Sequence, residues 1–344
     1  MLDLIAIGDV TEDVFVQVTP ATHVALRCQH DQIQCELCFP FGTKLAIERV
    51  DKLIGGNAGN VAIGSRRLGL KSALYAEVGN DDQGQKIVQS LKNDKVSIKY
   101  FSLKKGEKTN YSVVLNYNAE RTILVHHEVR HYHFPKIEQA QWLYFTSMGK
   151  GSEMLFTPLL QYLQKAKANF AFNPGTHQLN LGLKKLKPLL QQCTVVFLNT
   201  EETQLLLETK VRDFRYLLRK LQETGPNIAV VTDGNNGSYC FDGKNYWYCP
   251  IFKVPVLEMT GSGDSFATGF VCALFYEKTI AEALCWGSIN AASVIQKIGP
   301  QEGLISLTLL KKILVANPKF KARKLNKKEV MRNKVYRPQN FKSF

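Results

Sequence analysis

Four short apolar runs, at residues 142–146, 170–173, 195–198 and 228–232, alternate with helix-like stretches at about 152–167, 181–191, 201–208 and 211–223. A strand that recurs after a crossover helix lies parallel to the strand before it. The alternation therefore restricts the chain to an α/β fold with a mostly parallel sheet. The apolar run at 2–8, the helical stretch ending at Leu68-Gly69, the strand-like run at 72–78 and a helix to about Asn93 continue the same pattern. Residues 10–54 and 104–128 break it. They carry strand-like runs at 14–18, 44–50, 109–115 and 122–126 without a helical period, the last two flanking the turn residues 116–121. These segments read as a small β-sheet lid with a Cys-containing insertion at about 19–43. A chain of 344 residues can hold one large α/β domain with such an appendage.

Thr260-Gly261-Ser262-Gly263-Asp264 follows a strand-like run at 252–257 and opens a helical stretch to Phe275, with another helix around 281–298. Glycine allows positive φ and lets a ligand approach the backbone closely. The first amides of a helix lack internal partners, and the helix dipole adds partial positive charge there. Together these make an anion site suited to phosphate. A carboxylate at Asp264 is out of place beside phosphate unless it faces a hydroxyl about to attack that phosphate and serves as its base. A plain capped turn is the bland alternative. Gly55-Gly56-Asn57-Ala58-Gly59-Asn60-Val61-Ala62 opens a second Gly-rich helix, and Asp242-Gly243, between runs at 238–241 and 245–249, signals a hairpin.

The net charge of +14 invites a nucleic-acid reading, but residues 319–344 hold ten Lys or Arg against the single acid Glu329. The body is only mildly basic, so a nucleic-acid-binding protein proper is disfavoured. The tail reads as a solvated extension, with contact to nucleic acid or anionic surfaces as the sharper alternative. No apolar run is long enough to span a membrane, and the start lacks the basic region of a signal peptide, so a cytoplasmic protein is expected. Cys193, Cys240, Cys272 and Cys285 lie in apolar stretches and read as buried thiols. Cys28, Cys35 and Cys38, with His23 or His30, are residue types that bind zinc. Their spacing matches no common site, and free thiols in a loop are preferred over a structural Zn2+. His126, His127, His131 and His133 alternate at strand-like intervals and read as lid or rim residues.

Over roughly residues 2–310 the chain resembles the ribokinase-like (PfkB) carbohydrate kinases. The match is carried by Gly55 to Ala62, Gly79-Asn-Asp-Asp-Gln-Gly84, Ala119-Glu120-Arg121-Thr122, Asn173-Pro174-Gly175, Asn199-Thr-Glu-Glu202, Thr232-Asp233-Gly234 through Gly237, and Thr260 to Asp264, in that order. The resemblance implies a three-layer αβα sandwich over residues 1–318 with the small lid, followed by the tail at 319–344. It implies ATP-dependent phosphorylation of a sugar or sugar-like substrate, with Asp264 as general base and the backbone of Gly261, Ser262 and Gly263 as anion hole. Asp13, with Asp9 as second candidate, Gly56, Asn57 and Asn60 would bind substrate. Thr232, Gly234, Gly237 and Asn290 would lie on the nucleotide side, although the small residues around Asn290 equally suit tight helix packing. Asn199 and Glu202 would hold Mg2+ through water, with helix capping as a compatible role for Asn199.

Two departures stand out. Glu258-Met259 replaces the family's usual Asp-Thr, where the Asp helps arrange a monovalent cation, and the 19–43 segment is longer than the usual lid. Relatives acting on ribose tend to carry Lys at the Asn57 position, which disfavours ribose. The alternatives are a nucleoside (adenosine-like) kinase, with Phe15 or Tyr111 stacking on a base, and a catalytically weak member acting as a binding or regulatory protein. A homodimer through the lid is expected to be compatible with the fold.

Overall fold

The computed structural model describes residues 1–18, 25–29, 32–42, 44–117 and 120–325. Its strands are β1 (Leu2–Ile7), β2 (Thr11–Val18), β3 (Ala25–Gln29), β4 (Gln32–Cys38), β5 (Ile47–Gly55), β6 (Ser72–Gly79), β7 (Ser97–Lys104), β8 (Asn110–Tyr117), β9 (Glu120–His126), β10 (Ala140–Phe145), β11 (Asn169–Phe172), β12 (Val195–Asn199), β13 (Ile228–Thr232), β14 (Ser238–Phe241), β15 (Tyr246–Cys249) and β16 (Arg323–Lys324). Its helices are α1 (Asn57–Arg67), α2 (Asp82–Asn93), α3 (Phe156–Ala166), α4 (Thr176–Asn180), α5 (Leu183–Leu190), α6 (Thr200–Leu206), α7 (Phe214–Glu223), α8 (Ser262–Phe275), α9 (Ile280–Val294) and α10 (Leu307–Ala316).

The main sheet runs β16-β15-β14-β13-β12-β11-β10-β1-β6-β7, parallel from β13 to β7 and antiparallel through β14, β15 and β16. Its central strands are apolar on both faces, as a doubly covered parallel sheet demands. Leu4 and Ala6 of β1 pack towards α1, α8 and α9, while Ile5 and Ile7 pack towards α3, α5 and α7. The result is an αβα sandwich. From β1 the chain passes to β6 and β7 on one side, and from β10 to β11, β12 and β13 on the other, so the loops after β1 and β10 diverge at the sheet's centre. Crevices at such switch points, beyond the carboxyl ends of parallel strands, are where ligands bind in open α/β sheets.

A second sheet, ordered β5-β2-β8-β9, stands beside this edge and matches the expected lid. Within it Asp13 of β2 lies opposite Ser112 of β8, and Ser112 opposite Val125 of β9. The insertion is a two-stranded hairpin, β3–β4, with Cys28 opposite Cys35, where a loop was expected. The side chains of Cys28 and Cys35 lie outside the described residues, and Cys38 is a free thiol. Cys193, Cys240, Cys272 and Cys285 are free and buried, as expected.

Four other elements differ from expectation. The run at 252–257 pairs with no strand; Pro255 lacks the amide a ladder needs, and Val256 and Leu257 are exposed. Strand β7 has charged and polar residues on its outer face, because it is the sheet edge, and so lacks a buried strand's composition. Helix α10, which buries only Leu310, was not expected from the sequence. The domain also continues past residue 318. Phe320 meets Phe252 edge-to-face at 5.1 Å, Arg323 and Lys324 pair with Tyr248 and Trp247, and Leu325 N donates to Tyr246 O at 2.8 Å. The rest of the basic tail lies outside the described residues. Among the described residues no helix is long and apolar enough to cross a membrane.

Candidate active site

A cleft of about 900 Å3 lies between the lid and the carboxyl ends of the main-sheet strands, and α8 points its N-terminus into it. Gly261 caps α8 in the left-handed region, with φ +77°, and a Cβ there would come within 2.5 Å of Pro300 Cβ. Only glycine fits that position. A Cβ on Gly263 would meet nothing within 4 Å, so the first turn of α8 opens directly on the cleft. It lies at the positive end of a fourteen-residue helix, where the Ser262 amide donates to Met259 O at 3.3 Å.

One residue further, Asp264 is 6% exposed. Its Oδ1 accepts from Asn57 Nδ2 at 2.9 Å and its Oδ2 from Asn60 Nδ2 at 2.8 Å. Both asparagines come from α1, which packs against α8, and this is the physical use of the Gly55–Ala62 stretch. Burial pushes the Asp264 carboxyl up to about 6, with the two amide donors opposing and the negative charges of Glu202 and Asp13 adding to the rise. A carboxylate held by two donors and pushed up to about 6 by burial suits a general base.

The lid side of the cleft supplies Asp13, whose Oδ1 accepts from Thr11 Oγ1 at 2.6 Å and from Ser112 Oγ. Burial raises its carboxyl above the ordinary range, against those two hydrogen bonds. Asp9 is engaged by Gly149 N at 3.0 Å, Tyr132 Oη at 3.2 Å and His127 Nδ1 at 3.1 Å. Gly56, at φ +86°, brings the start of α1 against Asp9 and Val10, where a Cβ would lie 2.5 Å from Val10 Cα. Asp9, Asp13, Gly56, Asn57 and Asn60 all line the one cleft with Asp264.

Thr232 and Gly234 line the other end, near Ser288, Ala291 and Ile295. Gly237, at φ +93°, also lines it and turns tightly under β15, where a Cβ would sit 2.3 Å from Cys249 O. Asn290 does not join them. It is fully buried, and its Nδ2 donates to Ser265 O at 2.7 Å, tying α9 to α8. The helices touch there through backbone, since a Cβ on Gly287 would lie 2.8 Å from Phe266 O. The small residues at this crossing serve close packing.

Asn199 and Glu202 border the cleft as a reciprocal capping box of α6. Asn199 Oδ1 accepts from Glu202 N at 2.7 Å, and Glu202 Oε2 from Asn199 N at 2.8 Å. Burial raises the Glu202 carboxyl. Its second oxygen remains for a hydrated cation, and among the described residues no cluster of three or more His, Cys, Asp or Glu forms a direct metal cage. The pair fits Mg2+ held through water. Glu258 Oε1 accepts from Thr260 N and Oγ1 at 2.7 and 2.5 Å, while its Oε2 is buried without a partner. That orphaned oxygen fits a monovalent cation in spite of the longer side chain.

Ser112, Arg121, His127, Asn173 and His177 also line the cleft, and sequence reasoning assigned none of them a site role. Arg121 and Asn173 lay within recognised motifs, which was the available signal; His127 was read only as a lid or rim residue, and Ser112 carries no local pattern. Phe15 is 2% exposed and, like Tyr111, is absent from the lining, so neither stacking candidate for a base is in position.

A family model described as pfkB family carbohydrate kinase matches residues 27–307. A 5-dehydro-2-deoxygluconokinase of Lacticaseibacillus casei is 26% identical over 283 residues, covering 75% of this chain and 85% of that protein. A fructoselysine 6-kinase of Escherichia coli (strain K12) is 27% identical over 251 residues, covering 71% of this chain and 90% of that protein. The structure of Arabidopsis thaliana ribokinase complexed with ribose and ATP superposes with a TM-score of 0.74 at 18% identity, covering 91% of this chain and 98% of that one, which shows the shared fold.

Proposed function

The chain belongs to the pfkB family of carbohydrate kinases, and from that membership we propose that it transfers the γ-phosphoryl group of ATP to a hydroxyl of a sugar or sugar-like acceptor, with Asp264 as general base. The observation that carries this reading is the Asp264 carboxylate, held by Asn57 and Asn60 one residue beyond the open amide of Gly263. The acceptor hydroxyl loses its proton to Asp264 as its oxygen attacks phosphorus, and ADP leaves. The backbone amides of Gly261, Ser262 and Gly263 take up charge on the transferred group, the Ser262 amide turning from Met259 O to do so. Asp13, Asp9 and Asn57 present carboxylates and an amide to the remaining acceptor hydroxyls. Thr232, Gly234 and Gly237 form the nucleotide end.

Asn199 and Glu202 would hold Mg2+ through water, and the ion, when bound, neutralises phosphate charge. Glu258 Oε2 would accept a monovalent cation beside the anion hole. Asp9, Asp13 and Asn57 line the cleft with hydrogen-bonding groups while Phe15 and Tyr111 do not line it, which favours a polyol over a nucleoside. The lid also leaves Val50 of β5 and Leu124 of β9 about half exposed, and a homodimer formed through it would cover such residues.

The test is ADP release from ATP and Mg2+ against a panel of sugars, sugar acids, sugar phosphates and nucleosides, with Asp264→Asn as control. Turnover confined to one sugar class and lost in the control supports the reading. Turnover with nucleosides alone moves the acceptor to that class, and no turnover with any acceptor refutes a working kinase.

A further inference from the structure

The amide that holds Asp264 is itself held. Asn60 Nδ2 donates to Asp264 Oδ2 at 2.8 Å, and Asn60 Oδ1 accepts from Gln301 Nε2 at 3.1 Å. Asn60 is 3% and Gln301 8% exposed, which leaves little room for water to replace either bond. A carboxamide has a donor end and an acceptor end, and turning it over exchanges them. A turned Asn60 would set its oxygen against the Asp264 carboxylate and its NH2 against the NH2 of Gln301. Gln301 therefore penalises the orientation that would strip Asp264 of a donor.

Gln301 is anchored in turn. Arg67 Nη1 donates to Gln301 O at 2.6 Å and to Leu304 O at 3.3 Å, while Arg67 Nε pairs with Asp94 at 2.9 Å. The two residues before it bear on the same centre. Pro300 underlies Gly261 of the anion site, and a Cβ on Gly299, at φ +86°, would lie 2.3 Å from Leu53 Cδ1 of lid strand β5. Three consecutive residues thus touch the lid, the anion site and the amide that orients the candidate base.

We propose that Gln301 is a positioning residue for phosphoryl transfer, locking Asn60 with its NH2 towards Asp264 so that the carboxylate keeps both its donor and its aim at the acceptor hydroxyl. The inference rests on the reading of Asp264 as base. The groups that face Asp264 are Asn57 and Asn60 of α1, Glu202 of α6, Asp13 of β2 and Tyr144 of β10; of these only Asn60 bonds to the Gln301 side chain.

The test uses the full chain labelled with 13C at aspartate carboxyls, the Asp264 signal being assigned by its loss in Asp264→Asn. Its titration is compared between wild type and Gln301→Met, which is nearly isosteric but cannot donate, with Gln301→Leu as second variant should Met leave the chain unfolded. Loss of the lock should raise the Asp264 midpoint by about one pH unit, the scale of weakening one hydrogen bond to a charged group. The acid limb of kcat/KM should move with it, kcat should fall about tenfold, and KM for ATP should stay within about twofold. An unmoved Asp264 midpoint in a folded variant overturns the proposal, whatever happens to activity, because a merely structural Gln301 would lower stability and leave that midpoint in place. Absence of turnover in wild type would refute the kinase reading separately, and the titration would still report whether Gln301 holds Asn60.

Discussion

At Asp264, position and titration point the same way. As the proposed base, Asp264 must be ionised to accept a proton, and burial holds its carboxyl up to about 6. The kcat/KM profile is therefore expected to rise about tenfold per pH unit below 6 and to level off above about 7. Asp264→Asn should lower kcat by about 10²–10⁴-fold at pH 7.5 while leaving ATP affinity within a few fold, measured by ADP release and calorimetry. The linkage has an unusual sign. Because the folded-state value lies above the ordinary 3.8, the stabilising contribution of Asp264 is complete below that value and is lost as pH rises through about 6. Asp81 runs the other way. In spite of partial burial, hydrogen bonds from Thr109 and Gly84 hold its carboxyl low, so its contribution is present above 3.8 and lost as pH falls through its folded-state value. The two glycines of the anion site separate chemistry from stability. Gly263→Ala places a methyl in open cleft, and it should keep or raise the melting temperature while cutting kcat/KM by about 100-fold. Gly261→Ala meets Pro300 and a left-handed φ, and it should cost about 1–3 kcal/mol in denaturant melts.

The lid's attachment is settled at the level of elements. Asp81 caps α2 through Gly84 N at 2.9 Å and also receives Thr109 N and Oγ1 at 2.8 and 2.6 Å. Thr109 immediately precedes β8, so one carboxylate fastens the rim of the main sheet to the root of the lid. Asp81→Ala should cost about 1–2 kcal/mol, as capping losses do. It should also raise KM for the acceptor several-fold with little change in KM for ATP, because Asp13, the proposed acceptor ligand, and its partner Ser112 ride on the lid. An equal rise in both constants would argue against a lid effect. The helix pair α8–α9 illustrates a different dependence. Its glycines and Asn290 are legible as small, turn-prone or polar residues, yet their use as a backbone-contact crossing appears only when both helices are in place.

For the whole molecule, the segment 319–325 carries the fold past residue 318. Phe320 packs on Phe252, a cleft-lining residue, and Ala322 N donates to Cys285 Sγ at 3.3 Å. Ending the chain after residue 318 removes these contacts and the β15–β16 pairing, for an expected loss of about 2 kcal/mol and several degrees in melting temperature. Ending it after residue 325 keeps all of these contacts and should avoid that loss. Scanning calorimetry of the two truncations checks this.

The alternation of strands and helices, the Gly-rich start of α8 and the paired asparagines of α1 were legible in sequence because each is a local requirement. A buried strand needs a continuous apolar run, a left-handed cap needs glycine, and a helix start needs its partners nearby. The edge strand β7, the short α4, the lightly buried α10 and the two-residue β16 were not, since their burial comes from neighbours distant in the chain and leaves little periodic trace. The same division runs through the cleft. Sequence alone pointed to Asp264 as a base beside a Gly-rich anion site and, through the family resemblance, to Asn57 and Asn60 as substrate-binding amides. Only the tertiary structure decided that both asparagines close on the same carboxylate across more than 200 residues of chain, that Asn290 turns away from the cleft, and that Gln301 stands behind Asn60. Those are choices between partners brought together by packing, and no local pattern encodes them.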